Sequence, residues 1–160
     1  ARTGRIAEDD PLLAERVAEV PGALSALVAV LAAGGDGLTA GNCSAVLADI
    51  TGAGAWLARR VAEVPGALAA LVAAVAAGGV RLANNCTRAL GRIAQAEPHS
   101  AQRVAETPGA LPALFAALAR GGNAAANGAV VMAILADADR QLALQMAEAP
   151  GSLAALNPKP

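Results

Sequence analysis

The dipeptide Pro-Gly begins at Pro21, Pro65, Pro108 and Pro150, at spacings of 44, 43 and 42 residues, and nearly the same words surround each copy. Arg16-Val17-Ala18-Glu19-Val20-Pro21-Gly22-Ala23-Leu24 returns as Arg60 to Leu68 and, with Thr107 in place of the last valine, as Arg103 to Leu111. A worn copy runs from Gln145 to Leu153. The start of the chain keeps the same phase, because Gly4-Arg5-Ile6-Ala7 followed by Pro11 matches Gly91-Arg92-Ile93-Ala94 followed by Pro98. Units of this length that recur in register must bury their apolar faces against one another, so an array is expected rather than a single globule.

Each unit divides into three helical stretches. After Pro-Gly, apolar residues stand at i, i+3, i+4 and i+7: Leu24, Leu27, Val28, Leu31, then Leu68, Leu71, Val72, Val75, then Leu111, Leu114, Phe115, Leu118. That spacing puts four side chains on one helix face. A glycine pair (Gly34-Gly35, Gly78-Gly79, Gly121-Gly122) is expected to end the helix by taking the left-handed conformation. A second periodic stretch follows, with Leu38, Cys43, Leu47 and Ile50 in one unit and Leu82, Cys86, Leu90 and Ile93 in the next. A short helix then leads to the next Pro-Gly, and Pro11 and Pro98 suit its first turn, where an N–H lacks a partner anyway. Four buried aliphatics do not offset the entropy of ordering a whole unit, so no unit folds alone. The 46 alanines among 160 residues suit close helix packing. The expectation is an all-α, right-handed alpha-alpha superhelix.

Composition removes other classes. With 12 basic against 13 acidic residues and a single lysine, Lys159, the chain lacks the clustered cations that displace counterions from nucleic acid. A 56% hydrophobic content argues against disorder. Glycines or charges interrupt every alanine-rich run, such as Ala67 to Ala77, before it reaches the ~20 apolar residues of a membrane span. No signal peptide or transit-type leader is visible.

The runs Thr107 to Leu118 and Ala83 to Ala94 resemble the second and third helices of the armadillo repeat, with its Gly-Ala-Ile-Pro-x-Leu-Val opening and Ala-Cys-x-Ala-Leu-x-Asn-Leu-Ala third helix. The resemblance covers nearly the whole chain. It implies one armadillo-type solenoid over 1–157, with about three full repeats (21–64, 65–107 and 108–149), a partial repeat at 1–20, a broken one at 150–157, and a tail at 158–160. HEAT repeats have a similar period but usually lack the short first helix and this opening. The resemblance also implies a non-enzymatic protein–protein interaction scaffold whose ligands lie along a concave groove lined by third helices. Where peptide-binding members carry an asparagine that grips the ligand backbone, this chain has Arg5, Asp49, Arg92 and Ile134. Where they carry tryptophan, it has Ala45, Arg88 and Val130. Recognition of extended peptides in the manner of import receptors is therefore not expected. Asn42, Asn85 and Asn127 stand two turns back on the same face, so the groove residues are taken as Asn42, Asp49, Asn85, Arg88, Arg92 and Asn127. The alternative is that the asparagines brace adjacent helices.

Other candidates for chemistry have structural readings. Arg16 and Glu19, Arg60 and Glu63, and Arg103 and Glu106 lie one helical turn apart and read as exposed ion pairs. Cys43 and Cys86 occupy equivalent positions in units whose packed helices are about 8 to 10 Å apart, beyond the ~7 Å reach of a disulfide, and read as core thiols. Gly128 fills the same place in the third unit, which points to small size as the requirement. His99 reads as a surface residue at a helix start, Phe115 as core, and Trp56 as core rather than as an exposed hot spot. No catalytic residue, metal site or cofactor is expected.

Neither end supplies the polar cap a solenoid needs. A segment of a longer protein, or a subunit of a hetero-complex whose faces are covered by protein partners, is expected, without nucleic-acid binding or membrane insertion. The alternative is a regulatory or targeting array of a larger enzyme, such as a ubiquitin ligase, whose catalytic domain lies elsewhere. The alanine bias and the resemblance suggest a eukaryotic, intracellular setting, cytoplasmic first, with ciliary or organellar assemblies as others.

Overall fold

The computed structural model describes residues 11–34 and 37–148. Among the described residues there are ten α-helices and no strand, so the chain is all-α. They are α1 (Pro11–Glu19), α2 (Ala23–Ala32), α3 (Gly37–Ala53), α4 (Ala55–Glu63), α5 (Ala67–Ala77), α6 (Val80–Ala96), α7 (Pro98–Glu106), α8 (Ala110–Arg120), α9 (Gly122–Ala138) and α10 (Arg140–Glu148). The short helices α1, α4, α7 and α10 each have 9 residues, and α3, α6 and α9 each have 17. Short helices start at residues 11, 55, 98 and 140, which repeats the 44, 43 and 42 spacing of the Pro-Gly pairs. The short helices thus recur with the period of the Pro-Gly pairs. The first ten residues of the expected partial repeat, the broken repeat at 150–157 and the tail at 158–160 lie outside the described residues.

The Pro-Gly pairs are the corners. The carbonyls of Val20, Val64 and Thr107 accept from the N–H groups of Ala23, Ala67 and Ala110 at 3.1, 3.0 and 3.0 Å. Gly22, Gly66 and Gly109 have φ of 78, 79 and 81° with ψ near zero. These are type II turns, in which proline pre-sets the first central position and glycine supplies the positive φ of the second. At one such corner α4 and α5 are bent by 92°. No single helix among the described residues is long and apolar enough to cross a membrane. The bent pair α4 and α5 meets that test only when its halves are joined.

The glycine pairs behave less uniformly than expected. Gly34, Gly121 and Gly122 do take positive φ of 62, 76 and 60°. Gly78 and Gly79 instead have φ of −76 and −65° with extended ψ. At Gly78 space is the constraint, since a Cβ there would lie 2.3 Å from the Ala74 carbonyl oxygen and 2.7 Å from Leu82 Cδ2.

Helices of one kind pack on their own kind: α2 on α5 and α5 on α8, α3 on α6 and α6 on α9, with the short helices against the long ones. The core between these layers holds Leu47, Ile50, Leu57, Leu71, Leu90, Ile93, Leu114 and Leu135, all fully buried. In the central unit the whole stripe Leu68, Leu71, Val72 and Val75 is buried. In the third unit only Leu114 is, while Leu111, Phe115 and Leu118 are half-buried. A unit covered on both sides buries more than one covered, among the described residues, on one.

Trp56 departs from its expected place in the core. It is 39% exposed, with the Arg60 guanidinium 5.7 Å from its ring centroid. The register explains this, because the equivalent second position of the other short helices holds Leu12 and His99, both exposed.

Candidate interaction face

Among the described residues, arginines tie the second and third units to the ones before them. Arg60 donates through Nη2 to the carbonyl of Ala18 at 3.0 Å, and Arg103 to that of Ala62 at 2.8 Å. Ala18 and Ala62 lie in the last turns of α1 and α4, where carbonyls lack intrahelical donors and the helix dipole favours a cation. These arginines, read from sequence as partners of Glu63 and Glu106, are inter-unit caps. Arg120 does the same for α5, donating to the carbonyls of Val75 and Ala76.

A second set of contacts knits the long helices. Arg81 Nη2 donates to Asn42 Oδ1. Asn85 Nδ2 donates to Ser44 Oγ at 3.1 Å and to the Gly41 carbonyl at 3.4 Å. Arg88 Nη2 meets Asp49 Oδ1 at 2.8 Å. Asn127 Nδ2 donates to Asn84 Oδ1 at 2.8 Å. Gly41 and Asn84 are equivalent positions, so Asn85 and Asn127 reach the same place on the preceding long helix, Asn85 to a backbone carbonyl and Asn127 to a side-chain amide oxygen.

The six residues singled out from sequence thus share one side of the long-helix layer, with different surroundings. Asp49 and Asn85 are buried, Arg88 and Asn127 half-buried, and Asn42 and Arg92 exposed. Five of them brace neighbouring long helices; Arg92 contacts Gln95 Oε1 of its own helix at 3.5 Å. Arg88, Arg92 and Asn127 come together around a depression of about 200 Å³ between α6 and α9, with Gln95 and Val130 on its rim and Gly91 beneath. Asn42, Asp49 and Asn85 belong to the α3–α6 junction instead. The partners Ser44, Arg81 and Asn84 do not recur as the same residue type from unit to unit, so the repeat pattern does not single them out.

Ser100, 1% exposed, donates to Glu97 Oε1 at 3.3 Å, whereas the neighbouring His99 is exposed. A cavity of about 530 Å³ beside His99, between α7 and the end of α9, contains Gln102 and Glu106, which bond each other at 2.7 Å. Burial pushes the Cys86 thiol up to about 12 and raises that of Cys43 as well. Cys86 is a core thiol, but Cys43 is only half-buried. At Gly128, the equivalent place, an added Cβ would stand 3.4 Å from Ala117 Cβ. Among the described residues no group of three or more His, Cys, Asp or Glu could hold a metal ion.

No family model matches the chain, and neither a curated protein nor a solved structure matches it.

Proposed function

We propose that the chain is an armadillo-type, right-handed superhelical array and acts as a non-enzymatic scaffold for a protein partner within a larger assembly. The partner lies along the long-helix face. The observation that carries this reading is the run of polar side chains from α3, α6 and α9 on one side of the layer, held by hydrogen bonds between successive long helices. Side chains fixed by neighbouring helices lose little entropy on binding, which is what an interaction surface needs. The order of short, medium and long helices around a Pro-Gly corner supports the armadillo reading.

The test is quantitative affinity capture with three baits: the natural chain, Arg92→Glu on the long-helix face, and Ala73→Glu, an exposed position on α5. A partner bound as proposed is depleted by Arg92→Glu and retained by Ala73→Glu. Depletion by Ala73→Glu alone would move the function to the other layer.

A further inference from the structure

The two junctions between long helices are not chemically alike. At the first, Arg88 of α6 reaches Asp49 of α3, whose side chain is only 6% exposed. In the register of the repeat, Val130 of α9 stands where Arg88 stands, and Arg92 of α6 stands where Asp49 stands. At the second junction the basic half of the pair has therefore become valine and the acidic half has become arginine. The pair is gone. Val130 is 50% exposed, and Arg92 makes only a long contact, 3.5 Å, among the described residues, to Gln95 on its own helix.

The depression between α6 and α9 lies where this pair is missing. Of the polar residues around it, Thr87 is fully buried with its hydroxyl on the Ala83 carbonyl, and Arg88 is paired with Asp49. The groups that face a ligand are therefore the Arg92 guanidinium and the Gln95 and Asn127 amides, without a carboxylate among the lining residues. Asn127 uses one amide hydrogen on Asn84 and keeps a second. A guanidinium fork matches a planar carboxylate in two parallel bonds, the chemistry that Asp49 offers Arg88 one junction earlier. We propose that this depression seats an aspartate or glutamate side chain of the protein partner, with Arg92 as its charged anchor. The inference rests on the scaffold reading and adds to it the chemistry of one subsite.

Selection of a random heptapeptide library on the protein, followed by fluorescence anisotropy of the enriched peptides, tests it. Enriched peptides are expected to share an acidic residue at one position and to bind Arg92→Gln at least about tenfold more weakly. Val130→Asp brings a carboxylate to Arg92 from within and is expected to weaken them similarly, while Arg92→Glu selects lysine or arginine at that position. Both sites are exposed, so folding is not at stake. Enriched peptides with no acidic position, or equal binding by Arg92→Gln and Val130→Asp, would overturn the subsite and leave the scaffold reading standing. Displacement of the peptides by micromolar inorganic phosphate would make the depression a small-anion site and overturn the inference too. No enrichment on the natural protein would count against the scaffold reading itself.

Discussion

The guanidinium of Arg103 donates to the carbonyl oxygen of Ala62, 41 residues earlier and in the preceding unit, at 2.8 Å. Arg60 stands in the same relation to Ala18. A charged donor on an otherwise unsatisfied helix-terminal carbonyl contributes on the order of 1 to 2 kcal/mol. Arg103→Ala is expected to lower stability by that amount in urea denaturation, with Arg103→Lys recovering part. Because Arg60 and Arg103 cap different helix ends, the double variant is expected to lose close to the sum. Strong non-additivity would mean that the two contacts are not independent.

Gly66 has φ of 79° and open space around it, so an alanine there is strained by backbone conformation rather than by contact. Gly66→Ala is expected to destabilise by about 1 to 2 kcal/mol. Gly52, exposed in α3 with a helical backbone and nothing near its Cβ, is the control, and Gly52→Ala is expected to stabilise by about 0.5 kcal/mol. Thermal unfolding of the two variants should move Tm in opposite directions.

The Arg88–Asp49 pair is half out of water on one side only, with side-chain exposures of 32% and 6%. Removing either charge is expected to destabilise by about 2 kcal/mol, and the pair Arg88→Ala with Asp49→Ala by less than the sum of the two. A double-mutant cycle measured by urea denaturation checks this. A coupling indistinguishable from zero would remove the pair from the forces that join α3 to α6.

Two cysteines with unequal burial should label unequally. Native protein is expected to react with about one equivalent of a thiol reagent, at Cys43, and more slowly than an open thiol does; denatured protein takes up two. Folding holds the Cys86 thiol protonated up to about 12, whereas its ordinary value is 9.0. The folded state thus binds the extra proton through this window, and stability is expected to fall as pH rises through it. Cys86→Ala should flatten that fall.

Much of this architecture was legible in the spacing of a few residues. Leu68, Leu71, Val72 and Val75 share a face because of their helical period, and the structure buries all four. Pro11 and Pro98 open short helices as a missing N–H permits. What escaped the reading lies between units. Arg60 and Arg103 looked like partners of a glutamate one turn on, since local spacing reveals only neighbours on the same helix, and the carbonyls they serve are some forty residues away. Trp56 reads as core when taken alone, whereas comparison with Leu12 and His99 in the same register turns it outward. Cys43 and Cys86 hold equivalent positions yet differ in cover. The second glycine pair was misjudged because Gly78 answers to crowding by Ala74 and Leu82, which no local rule anticipates.

Hydrogen–deuterium exchange on the captured complex, compared with the chain alone, asks most directly which face the partner uses. Protection is expected in peptides from α6 and α9, around Arg92 and Asn127, with α5 unchanged. Protection confined to α5 and α8, or to the corners at Pro65 and Pro108, would contradict the account.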